Sequence, residues 1–415
     1  MTRAGGGRGT HRCHPPTLAL LTMGRGKGKK RAPYVRPQYG AGPGGVDPSA
    51  CENAALLRYY REQRIVPPGE WAAFERSLRT SLPMALRVLQ SRPGWRSTVA
   101  ELQRRGEVSP LGWCPGAEPL AWQCASEAYR GELRRWCQQQ NSVGTVSFQE
   151  AVSMLPALLL DPSPAHLILD MCAAPGSKTT QLLDTITAQD DWGAEPTLAT
   201  GLLVAADLSS LKVTSVVAGR LRKIHSPILA LAVANSKNFP FVSHFGQGQD
   251  STLLFDRILC DVPCSGDATI RKNPSIWRSW RLGYSLELHA TQLKLLRRGL
   301  RLLKAGGRLV YSTCSLDPLE NEAVVLAALR SYPGRVSLEE APALGGASTL
   351  ATSPGLSTWR VPDVRQAGPV PKSPKVRTGD WLCPACGANC FGYRTSCFKC
   401  KAKRPEPEPE PEPEP

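Results

Sequence analysis

The 415-residue sequence predicts an α/β fold built on a parallel sheet, and three observations carry that prediction. Two apolar runs, Arg257 to Cys260 and Leu309 to Tyr311, lack helical spacing and are bounded by turn residues, so they read as buried strands. Between them Leu286 to Leu303 carries leucines at helical spacing and ends at Gly306-Gly307, as a crossover helix should. Such a unit makes its two strands parallel and sends both C-terminal loops to one edge of the sheet. The third observation lies upstream: His166 to Asp170 reads as a strand, Met171 to Lys178 as a loop, and Thr179 to Leu183 as the start of a helix.

Taken in order, residues 1–50 have no acidic group before Asp47 and are rich in Gly, Arg and Pro. Such a composition cannot bury a core, and a disordered basic arm is expected. Its cluster Met23 to Arg31 is of the nuclear-localisation or RNA-tethering kind, while an Arg-rich, acid-free start also suits a mitochondrial transit peptide. Residues 51–160 form an accessory region in which Leu56 to Arg64 and Trp71 to Leu78 read as helices around Pro67-Pro68-Gly69. Val152 to Leu160 reads as a helix or strand leading into the α/β domain, residues 161–340. There Leu202 to Ala206, ending at Asp207, and Ile228 to Val233 read as strands, with Ala188 to Thr200 a polar surface loop. A helix follows Glu320-Asn321-Glu322 to about Leu329, and Val336 to Leu338 reads as a further strand. Residues 341–377 are a Pro-, Gly- and Ser-rich linker, 378–405 a cysteine-bearing module, and 406–415 an acidic Pro-Glu tail.

Charge narrows the function. The net charge is +16, and without the five glutamates of the tail it is +21, which points to a polyanionic partner, nucleic acid first. No apolar run approaches the roughly 20 residues needed to span a bilayer, so a soluble chain is expected. Fourteen cysteines without a secretory signal suggest a reducing compartment and thiols used for metal or chemistry.

Cys264 and Cys314 stand in the two loops that leave the parallel strands, and so face one crevice. A disulfide, a metal site, a structural pair of core thiols and covalent catalysis by a thiolate are the readings open to them. Asp261, three residues before Cys264, and the Pro263 and Gly266 of an irregular loop favour chemistry over packing. In the upstream loop, backbone N–H groups at a helix N-terminus attract an anionic group. Gly176 permits close approach there and Lys178 adds a positive charge; the Gly-Lys-Ser/Thr ending of a phosphate loop is absent. Asp207, at a strand end, suits a pair of ribose hydroxyls.

With these residues in view, Asp261-Val-Pro-Cys264-Ser-Gly266 and Ser312-Thr-Cys314-Ser315 resemble the two cysteine motifs of the Sun-type RNA (cytosine-5) methyltransferases. The run Leu169 to Leu182 is similar to that family's S-adenosylmethionine loop. Gly266 to Asn273 with Trp277 and Trp280, Ile65 to Trp71, and Gln149 to Met154 resemble the multisite tRNA branch. The resemblance covers roughly residues 55 to 330 and implies a Rossmann-like S-adenosylmethionine-dependent methyltransferase sheet acting on RNA, tRNA first. It implies cofactor contacts from Cys172, Ala173, Ala174, Pro175, Gly176, Ser177, Lys178, Asp207, Asn235 and Asp261. The methionine carboxylate of the cofactor would meet the helix N-terminus. Asn235 stands where the family carries an aspartate against the adenine, and its amide oxygen can still accept from an adenine amino group.

The implied chemistry explains the residue types. C5 of cytosine is a poor nucleophile until a thiolate adds to C6. The family pattern gives that attack to Cys314, assistance with release to Cys264, and stabilisation of the adduct, as an acid near N3, to Asp261. Pro83 to Val88 resembles a substrate-docking segment with Arg87 near the RNA backbone, whereas by itself Arg87 reads as a solvated surface residue. Arg271, Lys272, Trp277 and Trp280 would hold the surrounding RNA, although core packing explains the tryptophans equally, as it does Trp113 and Trp122. A second reading, a catalytically inactive RNA-binding adaptor on the same fold, is motivated by Asn235 and by the absence of the family's last strand.

The C-terminal module carries a separate signal. Cys383-Pro-Ala-Cys386 and Cys397-Phe-Lys-Cys400 supply four thiolates for a tetrahedral Zn2+. With Trp381, Phe391 and Arg394 they resemble a RanBP2-type zinc finger, which implies binding to single-stranded RNA or to ubiquitin. The family resemblance places the protein in the nucleus.

Overall fold

The computed structural model describes residues 51–188, 199–224, 226–240, 252–341 and 350–363, with short backbone pieces at 20–22, 242–243, 344, 381–382, 389–390 and 396. The chain divides into two units, Met1–Gly24 with Val46–Val364, and Arg25–Gly45 with Arg365–Pro415. In the first, β1 (Leu20–Thr22) precedes α1 (Ala54–Gln63), α2 (Trp71–Leu78), β2 (Met84–Val88), α3 (Trp95–Arg104), β3 (Ser109–Pro110), β4 (Ala121–Cys124), α4 (Gly131–Val143) and β5 (Val146–Phe148). Then follow α5 (Leu155–Leu160), β6 (Leu167–Asp170), α6 (Ser177–Thr187), β7 (Leu202–Asp207), α7 (Ala218–Leu221) and β8 (Leu229–Val233). The last elements of this unit are β9 (Val242–Ser243), β10 (Thr252–Leu253), β11 (Phe255–Asp261), α8 (Ile276–Ser279), α9 (Tyr284–Leu302), β12 (Leu303–Ser312) and α10 (Glu322–Ser331).

The main sheet runs β1-β8-β7-β6-β11-β12 and is parallel throughout, the α/β class the sequence predicts. Adjacent residues along each strand bury on opposite faces. Ile168, Leu203, Leu231 and Leu259 pack with Leu182, Leu183 and Ile186 of α6, whereas Leu169, Val204, Ala232 and Ile258 pack with Leu295 and Leu302 of α9. Both faces of a parallel sheet are covered, which is why its strands read as unbroken apolar runs. Full burial of each such side chain contributes roughly 1.5–3 kcal/mol.

Several boundaries differ from expectation for local reasons. β12 begins at Leu303 rather than beyond Gly307, because Phe255 already pairs with Leu303. The ladder then shifts, resuming at Arg257 opposite Arg308, so Gly306-Gly307 lie in an irregularity of the strand and do not form the turn that ends the helix. Residues 336–338 form no strand, and Leu338 lies exposed. Among the described residues nothing pairs beyond β12, so the sheet ends there. From the arm expected to be disordered, Leu20–Thr22 lie parallel to β8; the rest of residues 1–50 falls outside the described residues. Residues 350–363, expected to be linker, have no regular structure but are tied down. Gln63 donates to the Arg360 carbonyl (2.8 Å) and accepts from its amide (2.9 Å), and the Leu356 amide donates to Glu322 (3.0 Å).

The accessory region is a second sheet, antiparallel in the order β3-β4-β2-β5. Leu86 and Val88 of β2 pack with α3 and α4, which turns the residue between them to the other face. That residue, Arg87, is 4 % exposed and pairs with Asp184 of α6, also buried. The expectation that Arg87 lies near an RNA backbone is therefore corrected: it locks the accessory sheet to the main domain. Trp122 and Trp277 are fully buried, and Trp280 packs against Tyr59 and Tyr60, so these tryptophans serve the core.

In the second unit β13 (Trp381–Leu382) pairs antiparallel with β14 (Asn389–Cys390), bracketing Cys383 and Cys386 in sequence. The four expected zinc ligands, Cys383, Cys386, Cys397 and Cys400, lie outside the described residues, as does the 406–415 tail.

Candidate active site

Register decides what meets at the edge of the sheet. Asp261 pairs with Ser312, Leu259 with Asp170, and Asp207 with Val233, so five strands end nearly level. The loops leaving β11 and β12 therefore start side by side. Two residues past Ser312 and three past Asp261, Cys314 and Cys264 meet with their sulfurs 3.3 Å apart, both as free thiols. The Cys314 amide also points at the Cys264 sulfur (3.3 Å), and the Ala268 amide donates to the Cys314 carbonyl (3.1 Å). Gly266 makes this crossing possible with φ +73°, a conformation that glycine adopts without cost.

The two thiols are not equivalent. Cys314 is exposed and Cys264 is partly covered. The hydrogen bond shared with Cys264 holds the Cys314 thiol below its ordinary range, assisted by Lys178 and Lys272 against burial and Asp261. The same bond, together with burial, pushes the Cys264 thiol well up, and the Cys314 amide only partly offsets the rise. The shared contact thus shifts the two thiols in opposite directions, Cys314 down and Cys264 up, which favours Cys314 as the nucleophile.

Asp261 is engaged on both oxygens: Lys178 Nζ donates to Oδ2 (2.8 Å) and Ser312 Oγ to Oδ1 (2.7 Å). Read from sequence as an acid, it stands here as an ion-paired acceptor. Lys178, read as adding a positive charge beside the loop, has that charge matched by Asp261.

The upstream loop forms the other wall. Asp170, Cys172, Ala173, Ala174, Pro175, Ser177, Lys178 and Asp261 line one cleft. Gly176, at φ +94°, caps α6 and turns the chain so that the helix N-terminus opens toward it. The carboxyl of Asp170 is fully buried, which pushes it up to about 7. Thr179 Oγ1 (2.7 Å) and the Cys172 amide (3.3 Å) donate to it and oppose that rise. Asp207 accepts from the Ser209 amide (2.9 Å) at the end of β7. Asn235 follows β8, where its side-chain oxygen accepts from the Lys237 amide (3.2 Å). All the cofactor-contact positions expected from sequence thus lie on one sheet edge. The donor set fits an adenosyl amino acid: a helix N-terminus for a carboxylate, Asp207 for ribose hydroxyls, and the Asn235 amide for a base.

Sequence reasoning missed what holds the thiol loops together. Glu320, wholly buried, accepts from the Ser265 amide (3.0 Å), Ser315 Oγ (2.7 Å) and Gln292 Nε2 (2.7 Å). Asp267 accepts from the Leu316 amide (2.7 Å) and from Tyr60, and Asp317 from Tyr59 (3.0 Å). Burial raises both carboxyls, Asp317 to about 6. No sequence signal marked these acids beyond their nearness to the cysteines. Arg271 is bound to the Thr80 and Ser81 carbonyls, and Lys272 pairs with Glu150 (2.5 Å). Among the described residues no cluster of three or more His, Cys, Asp or Glu could hold a metal, and no helix is long and apolar enough to cross a membrane.

Comparison with known proteins agrees with this geometry. Residues 157–353 match the family described as 16S rRNA methyltransferase RsmB/F. The chain is 37% identical over 338 residues to the multisite-specific tRNA:(cytosine-C(5))-methyltransferase of Saccharomyces cerevisiae, covering 75% of this chain and 48% of that protein. It is 33% identical over 255 residues to the tRNA (cytosine(49)-C(5))-methyltransferase of Pyrococcus abyssi, covering 61% of this chain and 72% of that protein. The crystal structure of NSun6 from Pyrococcus horikoshii with SFG shares the fold at 17% identity, with a TM-score of 0.55 over 74% of this chain and 92% of that one. The chain spans about half the length of the first eukaryotic relatives it matches.

Proposed function

Because the chain belongs to the RsmB/F methyltransferase family, we propose that it transfers a methyl group to C5 of cytidine in RNA, with tRNA the favoured substrate. The observation that carries this reading is the pair of thiols 3.3 Å apart beside a cleft shared by Lys178, Asp261 and the loop opening α6. The tRNA preference is supported by the names of the relatives in yeast, fly and archaeon.

S-adenosylmethionine, when bound, supplies an electrophilic methyl group on a sulfonium. Cys172 to Lys178 would hold its amino-acid end, Asp207 its ribose and Asn235 its adenine. The remaining steps belong to this chain's own side chains. A cytidine must first leave its stack to reach the sulfurs. The Cys314 thiolate forms a bond to C6, and the displaced electron pair makes C5 nucleophilic. As that bond forms, N3 takes up a proton from solvent, and Asp261, held by Lys178 and Ser312, accepts the hydrogen bond from N3–H and so stabilises the adduct. Once C5 carries the methyl group, its proton and the one on N3 pass to solvent water, the C5–C6 double bond re-forms and the Cys314 thiolate is expelled. Cys264, in contact with that sulfur, assists the release. Cys264→Ala is expected to accumulate a covalent RNA–protein adduct on a denaturing gel, and Cys314→Ala to form none. The reverse pattern would overturn the assignment, and loss of adduct in both would remove the covalent step.

The C-terminal module is proposed to be a zinc finger held by Cys383, Cys386, Cys397 and Cys400 that adds affinity for single-stranded RNA. The cysteine spacing and the β13–β14 pairing support this. Metal analysis of the purified chain should return one zinc, lost on replacing Cys397 and Cys400. The basic cluster 23–31 is proposed to direct the protein to the nucleus, and a reporter carrying residues 1–50 that enters mitochondria would reject it.

A further inference from the structure

Glu320 is 0 % exposed, and among the described residues no Lys, Arg or His pairs with it. A carboxylate in that position is costly unless each lone pair is occupied. Here the occupants are instructive. Oε2 takes the amide of Ser265, the residue after Cys264, and Oε1 takes the hydroxyl of Ser315, the residue after Cys314. Gln292 of α9 adds a donor to Oε2 and a second bond to the Pro263 carbonyl (3.0 Å), bracing the Cys264 loop from the other side. Ser265 Oγ and Ser315 Oγ are themselves 3.0 Å apart, and the Glu320 carbonyl is fixed by Tyr311 OH (2.6 Å). One carboxylate therefore spans the two loops directly behind the two sulfurs.

We propose that Glu320 is the positioning residue that sets the separation of the Cys264 and Cys314 thiols. It touches neither sulfur; it holds Ser265 and Ser315 directly and the Cys264 loop also through Gln292. A neutral isostere could keep these bonds. In Glu320→Gln the amide oxygen can take the place of Oε2, and the amide nitrogen can donate to Ser315 Oγ, which keeps the Asp317 amide and turns its own proton to Ser265 Oγ. Glu320→Ala removes the carboxylate link and leaves the loops joined by the serine pair, by the Ala268 amide on the Cys314 carbonyl and by the Leu316 amide on Asp267.

The proposal rests on the two-thiol reading above, but its test need not. Full-length chain is treated with the thiol oxidant diamide, and formation of the Cys264–Cys314 disulfide is followed by peptide mass spectrometry. Glu320→Ala should slow trapping by at least ~10-fold and lower kcat for methyl transfer by ~30-fold or more, with KM for S-adenosylmethionine held within about threefold. Glu320→Gln should restore both rates to within about fivefold of the parent chain. Trapping by Glu320→Ala at the parent rate, or no recovery in Glu320→Gln, would overturn the proposal. Should Glu320→Ala fail to fold by circular dichroism, Ser315→Ala carries the comparison; it cuts the Cys314 arm together with the serine pair and the bond from the Asp317 amide, and an unchanged trapping rate would be equally fatal. A parent chain that traps in a Glu320-dependent way yet transfers no methyl group would sink the enzymatic reading and leave this one standing.

Discussion

The two walls of the cleft are built in different ways. The cofactor wall centres on one contiguous stretch, β6 through α6, whose loop turns at Gly176 and is tied to the neighbouring strands by the Ala173 amide on Ala206 and the Met171 amide on Leu259. The thiol wall is assembled from residues far apart in sequence. Tyr59 reaches Asp317 across 258 positions, Tyr60 reaches Asp267 across 207, and Gln292 reaches Glu320 across 28. The difference suggests a division of labour. A loop that grips a constant ligand can be local, whereas two thiols that must share a proton need their loops fixed against each other by the whole fold. Damage to the cofactor wall should then leave the sulfurs in register, and damage to remote anchors of the thiol wall should not.

The largest test strikes the support of the cofactor wall. Arg87→Met would strand the buried Asp184 carboxylate on α6 with only Ser91 and the Gln90 amide as donors. Breaking a buried ion pair from one side costs about 3–5 kcal/mol, and urea unfolding should show a loss of that order. In the folded variant, diamide trapping of Cys264 with Cys314 should be unchanged. A parallel fall in trapping would erase the distinction between the walls.

Asp170→Asn is a subtler probe of the same wall. Burial raises the Asp170 carboxyl to about 7, above the ordinary carboxylate range. An acid so raised contributes stability that is present at low pH and lost as pH climbs from about 4 to about 7. Asparagine never ionises and keeps partners for Thr179 and the Cys172 amide. Relative to the parent, the variant should gain about 2–4 kcal/mol in urea unfolding between pH 4.5 and 7.5, at about 1.4 kcal/mol per unit of raised pKa. A difference independent of pH would show that Asp170 is not the group being titrated.

How much of this was legible follows the same division. The loop from Cys172 to Lys178, the carboxylate Asp207 and the thiols announce themselves because each is carried by a short run whose strand, turn and helix signals agree. Even the meeting of Cys264 and Cys314 was foreseeable, since a parallel strand pair must send both loops to one edge. Arg87 was not legible: an arginine in a strand looks solvated until a second sheet and the partner at 184 are in place. Nor was Glu320, which stood at an apparent helix start and turned out to face inward on three donors. Gly306-Gly307 misled in a third way, as a glycine pair signals a turn and an irregular strand alike. Local patterns revealed what local backbone builds, and long-range hydrogen bonds left no such trace.

The smallest expected effect is the most discriminating. Tyr59 OH donates to both oxygens of Asp317 (3.0 Å each), and Asp317 lies three residues beyond Cys314. Burial already lifts Asp317 to about 6, so its stabilising contribution is complete at low pH and drains away as pH rises through that value. Tyr59→Phe removes a donor that favours the ionised carboxylate and should lift Asp317 further. The loss of stability should therefore be about 1–2 kcal/mol at pH 7.5, the worth of one hydrogen bond to a charged group, and shrink toward zero at pH 4.5. An equal loss at both pH values would mean that the hydroxyl serves packing alone. If the thiol wall depends on remote anchors, the same variant should slow diamide trapping at pH 7.5 by roughly threefold while binding of S-adenosylmethionine, read by calorimetry, stays unchanged. An effect on cofactor affinity instead would place Tyr59 in the service of the other wall and dissolve the division between the two.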